Sequence, residues 1–172
     1  MQYDPQRTDA PKPIEPTGFF TGIQFRPIIT GAVIDFIASF VLAAFYYGFY
    51  VAPHAGAAAA FEEEAASFWA TSDGMAASLL LGSLGTLIGG FYAAYKAGTL
   101  QMKHGALVGM ISIIVGLVLQ SGDSESQLPE WFMALSFAAA IPAGALGGFL
   151  AEMLKDAMGG GKGRSYPSQG GS

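Results

Sequence analysis

Long apolar stretches alternate along this chain with short polar ones. The apolar runs extend from about Pro27 to Val51, Met75 to Ala97, His104 to Gln120 and Trp131 to Leu154. A hydrocarbon core of roughly 30 Å takes about 20 helical residues to cross, and each run is close to that length. Only helices and closed barrels satisfy their backbone in lipid. These runs are too long and too continuous for the alternating strands of a barrel. The pattern therefore predicts an all-α fold: an integral membrane four-helix bundle, with the fourth span interrupted at Pro142.

Inside the runs the small residues form stripes. Ser78, Gly82, Gly85 and Gly89 recur on one helical face of the second span. Gly105, Gly109, Ser112 and Gly116 do the same in the third, and Ser136, Ala140, Ala143 and Gly147 in the fourth. Small side chains let backbones approach closely, and dispersion is the main attraction between helices in lipid. Helix packing is thus expected at Gly82, Gly85, Gly89, Gly105, Gly109, Gly116 and Gly147. Gly89-Gly90-Phe91 with Ala93 also matches Gly147-Gly148-Phe149 with Ala151, and Gly31-Ala32-Val33 matches Gly105-Ala106-Leu107. The chain reads as two helical hairpins of the same orientation, a parallel repeat.

The polar segments set the orientation. On a four-span reading all eight Lys and Arg fall on one side: Arg7, Lys12, Arg26, Lys96, Lys103, Lys155, Lys162 and Arg164. The loops on the other side carry Glu62, Glu63, Glu64, Asp73, Asp123, Glu125 and Glu130 and no basic residue. Basic residues stay cytoplasmic, so both termini are expected in the cytoplasm. Aromatic residues crowd the outer boundary: Phe45, Tyr46, Tyr47, Phe49 and Tyr50, then Trp131 and Phe132. The Pro-rich head, residues 1–25, lacks the features of a secretory signal and is expected to be disordered. The Gly/Ser-rich tail, residues 156–172, should be flexible coil. The Ala/Glu-rich loop from Pro53 to Asp73 places Phe61, Ala65 and Phe68 on one face. It reads as a short amphipathic helix on the outer surface.

Composition closes several routes. Charged residues make up only 12% of the chain and its mean hydropathy is +0.42. The net charge is −5, so no basic patch exists to displace counterions, and no nucleic-acid partner is expected. There is no cysteine, which removes disulfides, thiolate metal sites and thiol catalysis. No nucleophile elbow, zincin helix or phosphate loop appears, so no enzyme activity is expected. His54 and His104 fall on opposite membrane surfaces and cannot share a haem. No metal or cofactor is expected, although ligation of a pigment or haem by one histidine stays open. The run Glu62-Glu63-Glu64 reads as a solvated face.

Asp35 is the residue that asks for a functional account. It lies roughly 12 Å beyond Pro27 at 1.5 Å per residue, in an otherwise apolar span, where insertion of an Asp costs about 2.5–3.5 kcal/mol. With Gly31 and Ala38 it occupies the small-residue face. Its expected partners are Thr30, Ser39, Ser83, Thr86 or Ser112, and the candidate polar site is Asp35, Ser83, Thr86 and Ser112. Two roles stand open: a hydrogen-bonded anchor between helices, or a proton or cation site.

Through GGFYAAYKAG (Gly89 to Gly98) and MKHGALVG (Met102 to Gly109) the chain resembles small prokaryotic four-span glycine-rich membrane proteins, over roughly residues 26–155. The shared features are a double glycine late in span two, a short basic loop and a His-Gly-Ala start to span three. Those proteins largely lack an assigned function, so the resemblance transfers no site residues. It implies a prokaryotic inner membrane. The long acidic first loop and the Pro-rich head depart from the compact forms. The sequence points first to a non-enzymatic accessory or scaffold subunit whose partners are the lipid bilayer and other membrane subunits or itself. The alternative is a small homo-oligomeric transporter or channel with Asp35 on its pathway.

Overall fold

A computed structural model describes residues 18, 20–54, 67–121 and 129–159. Most of the head and the tail, and most of the loop expected to form a surface helix, lie outside the described residues. Four helices carry the fold: α1 (Phe25–Tyr46), α2 (Ser72–Ala97), α3 (Gln101–Ser121) and α4 (Glu130–Met158). α1 continues through a π-helical turn (Tyr47–Val51) and a 3-10 turn (Ala52–His54). All four are long and apolar enough to cross a membrane. Among the described residues every regular element is helical.

The helix ends depart from the apolar runs, each for a local reason. α1 begins at Phe25, two residues before Pro27, because proline is tolerated in a first turn whose N–H groups lack intrahelical partners. α2 begins at Ser72 rather than Met75, since the Thr71 hydroxyl accepts the Gly74 N–H at 3.1 Å as an N-cap. It ends at Ala97, where Gly98 with φ +73° caps the C-terminus in the left-handed region. Leu100 takes φ +50°, and the three-residue turn then launches α3 at Gln101. α4 runs unbroken through Pro142, so the expected interruption does not occur. In a spanning helix the backbone groups that a proline frees can be satisfied by local adjustment and by neighbours.

The packing is inverted relative to a soluble protein. Phe36, Phe40, Leu80, Leu117, Leu146 and Phe149 point outward, while the interior is built of Ile28, Ala93, Val108, Ala151 and glycines. α2 lies against α1 and α4, α3 lies against α4, and α2 and α3 also touch. α1 and α3 meet over a shorter stretch, where Ile28, Ala93 and Val108 form a small apolar cluster. We call the end bearing Lys96, Lys103 and Lys155 the basic end, and the opposite one the acidic end.

Glycine decides where backbones touch. A Cβ on Gly31 would lie 2.6 Å from the Gly89 carbonyl oxygen, and one on Gly89 would strike Gly31 in return. Gly85 lies against Ser39 in the same seam. Gly105 and Gly109 pack on Gly144 and Ala140 of α4, and Gly147 packs on Leu87 and Phe91 of α2. A Cβ on Gly116 would lie 3.3 Å from the Phe137 ring, a side chain rather than backbone. Gly82 packs on nothing: a Cβ there has no neighbour within 4 Å. Three close contacts between the spanning helices fall off the stripes read from sequence, at Gly90, Gly144 and Gly148. The two glycine pairs that match in sequence also differ in partners. Gly89 faces α1 and Gly90 faces α4, whereas Gly147 faces α2 and Gly148 faces the start of α3.

At the acidic end the rings expected near the headgroups form a layered cluster. Phe45 stacks on Phe49 at 5.7 Å and Tyr46 on Tyr50 at 5.2 Å, while Phe68 and Trp69 fold back onto Tyr46 and Tyr47. The chain approaching α2 is thereby pinned to the end of α1.

Candidate functional site: a polar cluster beneath an open groove

Asp35 is 5% exposed. Its carboxylate gathers hydroxyls from three helices. Ser39 Oγ, one turn along α1, donates to Oδ1 at 3.3 Å. Thr86 Oγ1 of α2 is placed to donate to Oδ1 at 3.1 Å or Oδ2 at 3.2 Å. Ser112 Oγ of α3 donates to Oδ2. Thr86 and Ser112 each also reach the carbonyl one turn back on their own helix, Gly82 at 3.0 Å and Val108 at 3.0 Å.

Gly89 makes this cluster possible. A Cβ on Gly89 would lie 2.7 Å from the Asp35 Cβ, so the missing side chain is what lets α1 bring its carboxyl up to α2. Of the four residues proposed from sequence, the structure brings together Asp35, Thr86 and Ser112. Ser83 supplies no hydrogen bond to the carboxylate, and Ser39 takes part instead. Thr30 turns to its own helix, donating to the Arg26 carbonyl at 3.0 Å.

The site lies about three helical turns from the basic ends of α1, α2 and α3, roughly 15–17 Å at 1.5 Å per residue. That depth is near the middle of a hydrocarbon core about 30 Å thick. Beside it, a groove of about 590 Å³ opens between α1 and α3. Ile29, Val33 and Phe36 form one wall and Ile111, Val115 and Leu119 the other. Asp35, Ser39, Gly82, Thr86 and Ser112 form the floor. Most of the wall side chains are exposed on the outer surface of the bundle, so the opening is lateral.

A second polar arrangement escaped the sequence reading. His104, fully buried, uses both ring nitrogens. Nδ1 pairs with the Leu100 carbonyl at 3.0 Å, and Nε2 accepts the Gln24 backbone N–H at 3.0 Å. Since an N–H can only donate, Nε2 is the acceptor and Nδ1 carries the hydrogen. The Gln24 side chain adds a bond to the Ala97 carbonyl at 3.0 Å. The start of α1 is thus clasped to the α2–α3 turn. With both nitrogens engaged, His104 is closed to a pigment or haem in this conformation. His54 ends the 3-10 turn at the opposite end of the bundle. His104→Phe leaves the part-buried Gln24 N–H without its acceptor. It is expected to lower stability by about 1–3 kcal/mol, read as the thermal midpoint in detergent.

The chain matches no family model, no curated protein and no solved structure. The functional reading therefore rests on the residues themselves.

Proposed function

We propose that this multi-pass membrane protein is a non-enzymatic accessory or scaffold subunit of a larger membrane assembly. The observation that supports it most is the bonding of Asp35. Hydroxyls of α1, α2 and α3 converge on one carboxylate, the arrangement suited to tying helices together. An acid committed to three hydroxyls is poorly placed to exchange with water on each turn of a transport cycle. The exterior of large apolar side chains offers surface to lipid and to neighbouring subunits. Purification from native membranes in mild detergent tests the proposal. Co-migration with other subunits is the expected result, and a lone monomer overturns it.

A second reading, a small homo-oligomeric transporter or channel, draws on a different fact: Asp35 borders a groove rather than a sealed core. Proton or cation flux from the purified protein in proteoliposomes, lost in Asp35→Asn, would favour it and sink the scaffold proposal.

The proposed location is a prokaryotic inner membrane, with the basic end and both termini cytoplasmic. The distribution of all eight basic residues supports that orientation. Single cysteines are clean probes, because the chain has none of its own. Ser67→Cys and Ser126→Cys are expected to react with an impermeant maleimide on intact cells, and Thr99→Cys is not. Labelling at Thr99→Cys reverses the orientation.

A further inference from the structure

We infer that the groove between α1 and α3 is a binding site for a single-chain amphiphile with a neutral, hydrogen-bond-donating head, the chemistry of a long-chain alcohol. Its volume of about 590 Å³ falls within the range of roughly 300–1,000 Å³ that small-molecule sites occupy. Its make-up is that of such a site, with apolar walls and a few convergent polar groups at one place.

The polar floor specifies the head. The hydroxyl hydrogens of Ser39, Thr86 and Ser112 are directed at the Asp35 carboxylate or at carbonyls of their own helices. What remains for a ligand is acceptor capacity on oxygen, so the complementary group is a donor. Depth specifies its charge. The floor lies roughly 15–17 Å from the basic end, near the bilayer middle, where a charged head is costly and which a phospholipid headgroup does not reach. A neutral hydroxyl carried on an apolar chain meets both conditions, and the lateral opening admits it from lipid.

Gly82 carries the test. It lines the groove, and a Cβ there meets nothing within 4 Å. Gly82→Leu therefore fills the site without forcing helices apart. Phe36→Trp, on the exposed wall, serves as the reporter. The wild-type protein supplies the background from Trp69 and Trp131. In lipid nanodiscs, a brominated twelve-carbon alcohol is expected to quench the reporter saturably. The matching methyl ether, which has lost the donor, should bind at least about tenfold more weakly, the factor that about 1.4 kcal/mol of hydrogen bonding represents. Gly82→Leu in the reporter background should abolish saturable quenching while keeping its thermal midpoint. Ser112→Ala removes an acceptor without adding bulk, and should weaken the alcohol but not the ether. Equal, non-saturating quenching by alcohol and ether would mean that bulk lipid fills the groove, and overturns the assignment. Undiminished saturation in both Gly82→Leu and Ser112→Ala overturns it as well, because the alcohol would then bind elsewhere.

Discussion

Gly144→Leu is expected to destroy the bundle, with a loss at or beyond the about 3 kcal/mol typical of severe overpacking. Gly144 sits where three helices converge. A Cβ on Gly90 of α2 would come within 2.5 Å of the Gly144 carbonyl oxygen, and Gly105 of α3 strikes the same atom. A Cβ on Gly144 would itself run into the Gly105 carbonyl and lie 3.1 Å from the Gly109 nitrogen. These neighbours are backbone atoms, which cannot rotate away. A leucine must therefore drive α4 off α3, and the α2 seam moves with it. Gly89→Leu should fail in the same way, against Gly31 and Asp35. Gly82→Leu and Leu117→Ala should leave the thermal midpoint nearly unchanged. Thermal unfolding of the four variants in one detergent decides the matter. A wild-type midpoint for Gly144→Leu would mean that the glycine contacts do not hold the helices.

Asp35 gives the second large effect, and its two substitutions are expected to separate. Asp35→Asn keeps an acceptor and offers an amide that the hydroxyls can accept, so stability and assembly should hold. Asp35→Leu deletes the acceptor shared by Ser39, Thr86 and Ser112. The loss should stay at about 0.6–2 kcal/mol, the scale of interhelical hydrogen bonds in membranes. It stays moderate because Thr86 and Ser112 fall back on the Gly82 and Val108 carbonyls, while the Ser39 hydroxyl that loses its acceptor is half-buried and lines the groove. Thermal midpoints and subunit co-purification check this. A protein that keeps its partners as Asp35→Asn and Asp35→Leu, yet loses proton flux in both, would be a transporter rather than a scaffold.

Apolar run length alone determined the four helices, because a chain that crosses lipid must satisfy its backbone within each crossing. The sequence also marked Asp35 as exceptional and named Thr86 and Ser112 among its partners, since a carboxyl in a spanning helix needs donors and hydroxyls are the donors at hand. It misplaced the helix ends, because caps such as Thr71 and turns such as Gly98 to Leu100 act through backbone geometry rather than hydropathy. It expected a break at Pro142, which one helix absorbs. The rest depends on which faces meet. Glycine spacing placed Gly82, Gly85 and Gly89 on one stripe, yet Gly85 and Gly89 touch α1 while Gly82 looks into an open groove. A stripe about one residue wide carries no information on where a neighbouring helix ends its contact. Gly144, Gly148 and the His104–Gln24 clasp were hidden for the same reason. Crossing positions arise from the joint packing of four helices, and a pattern along one chain reports only which side of each helix is small.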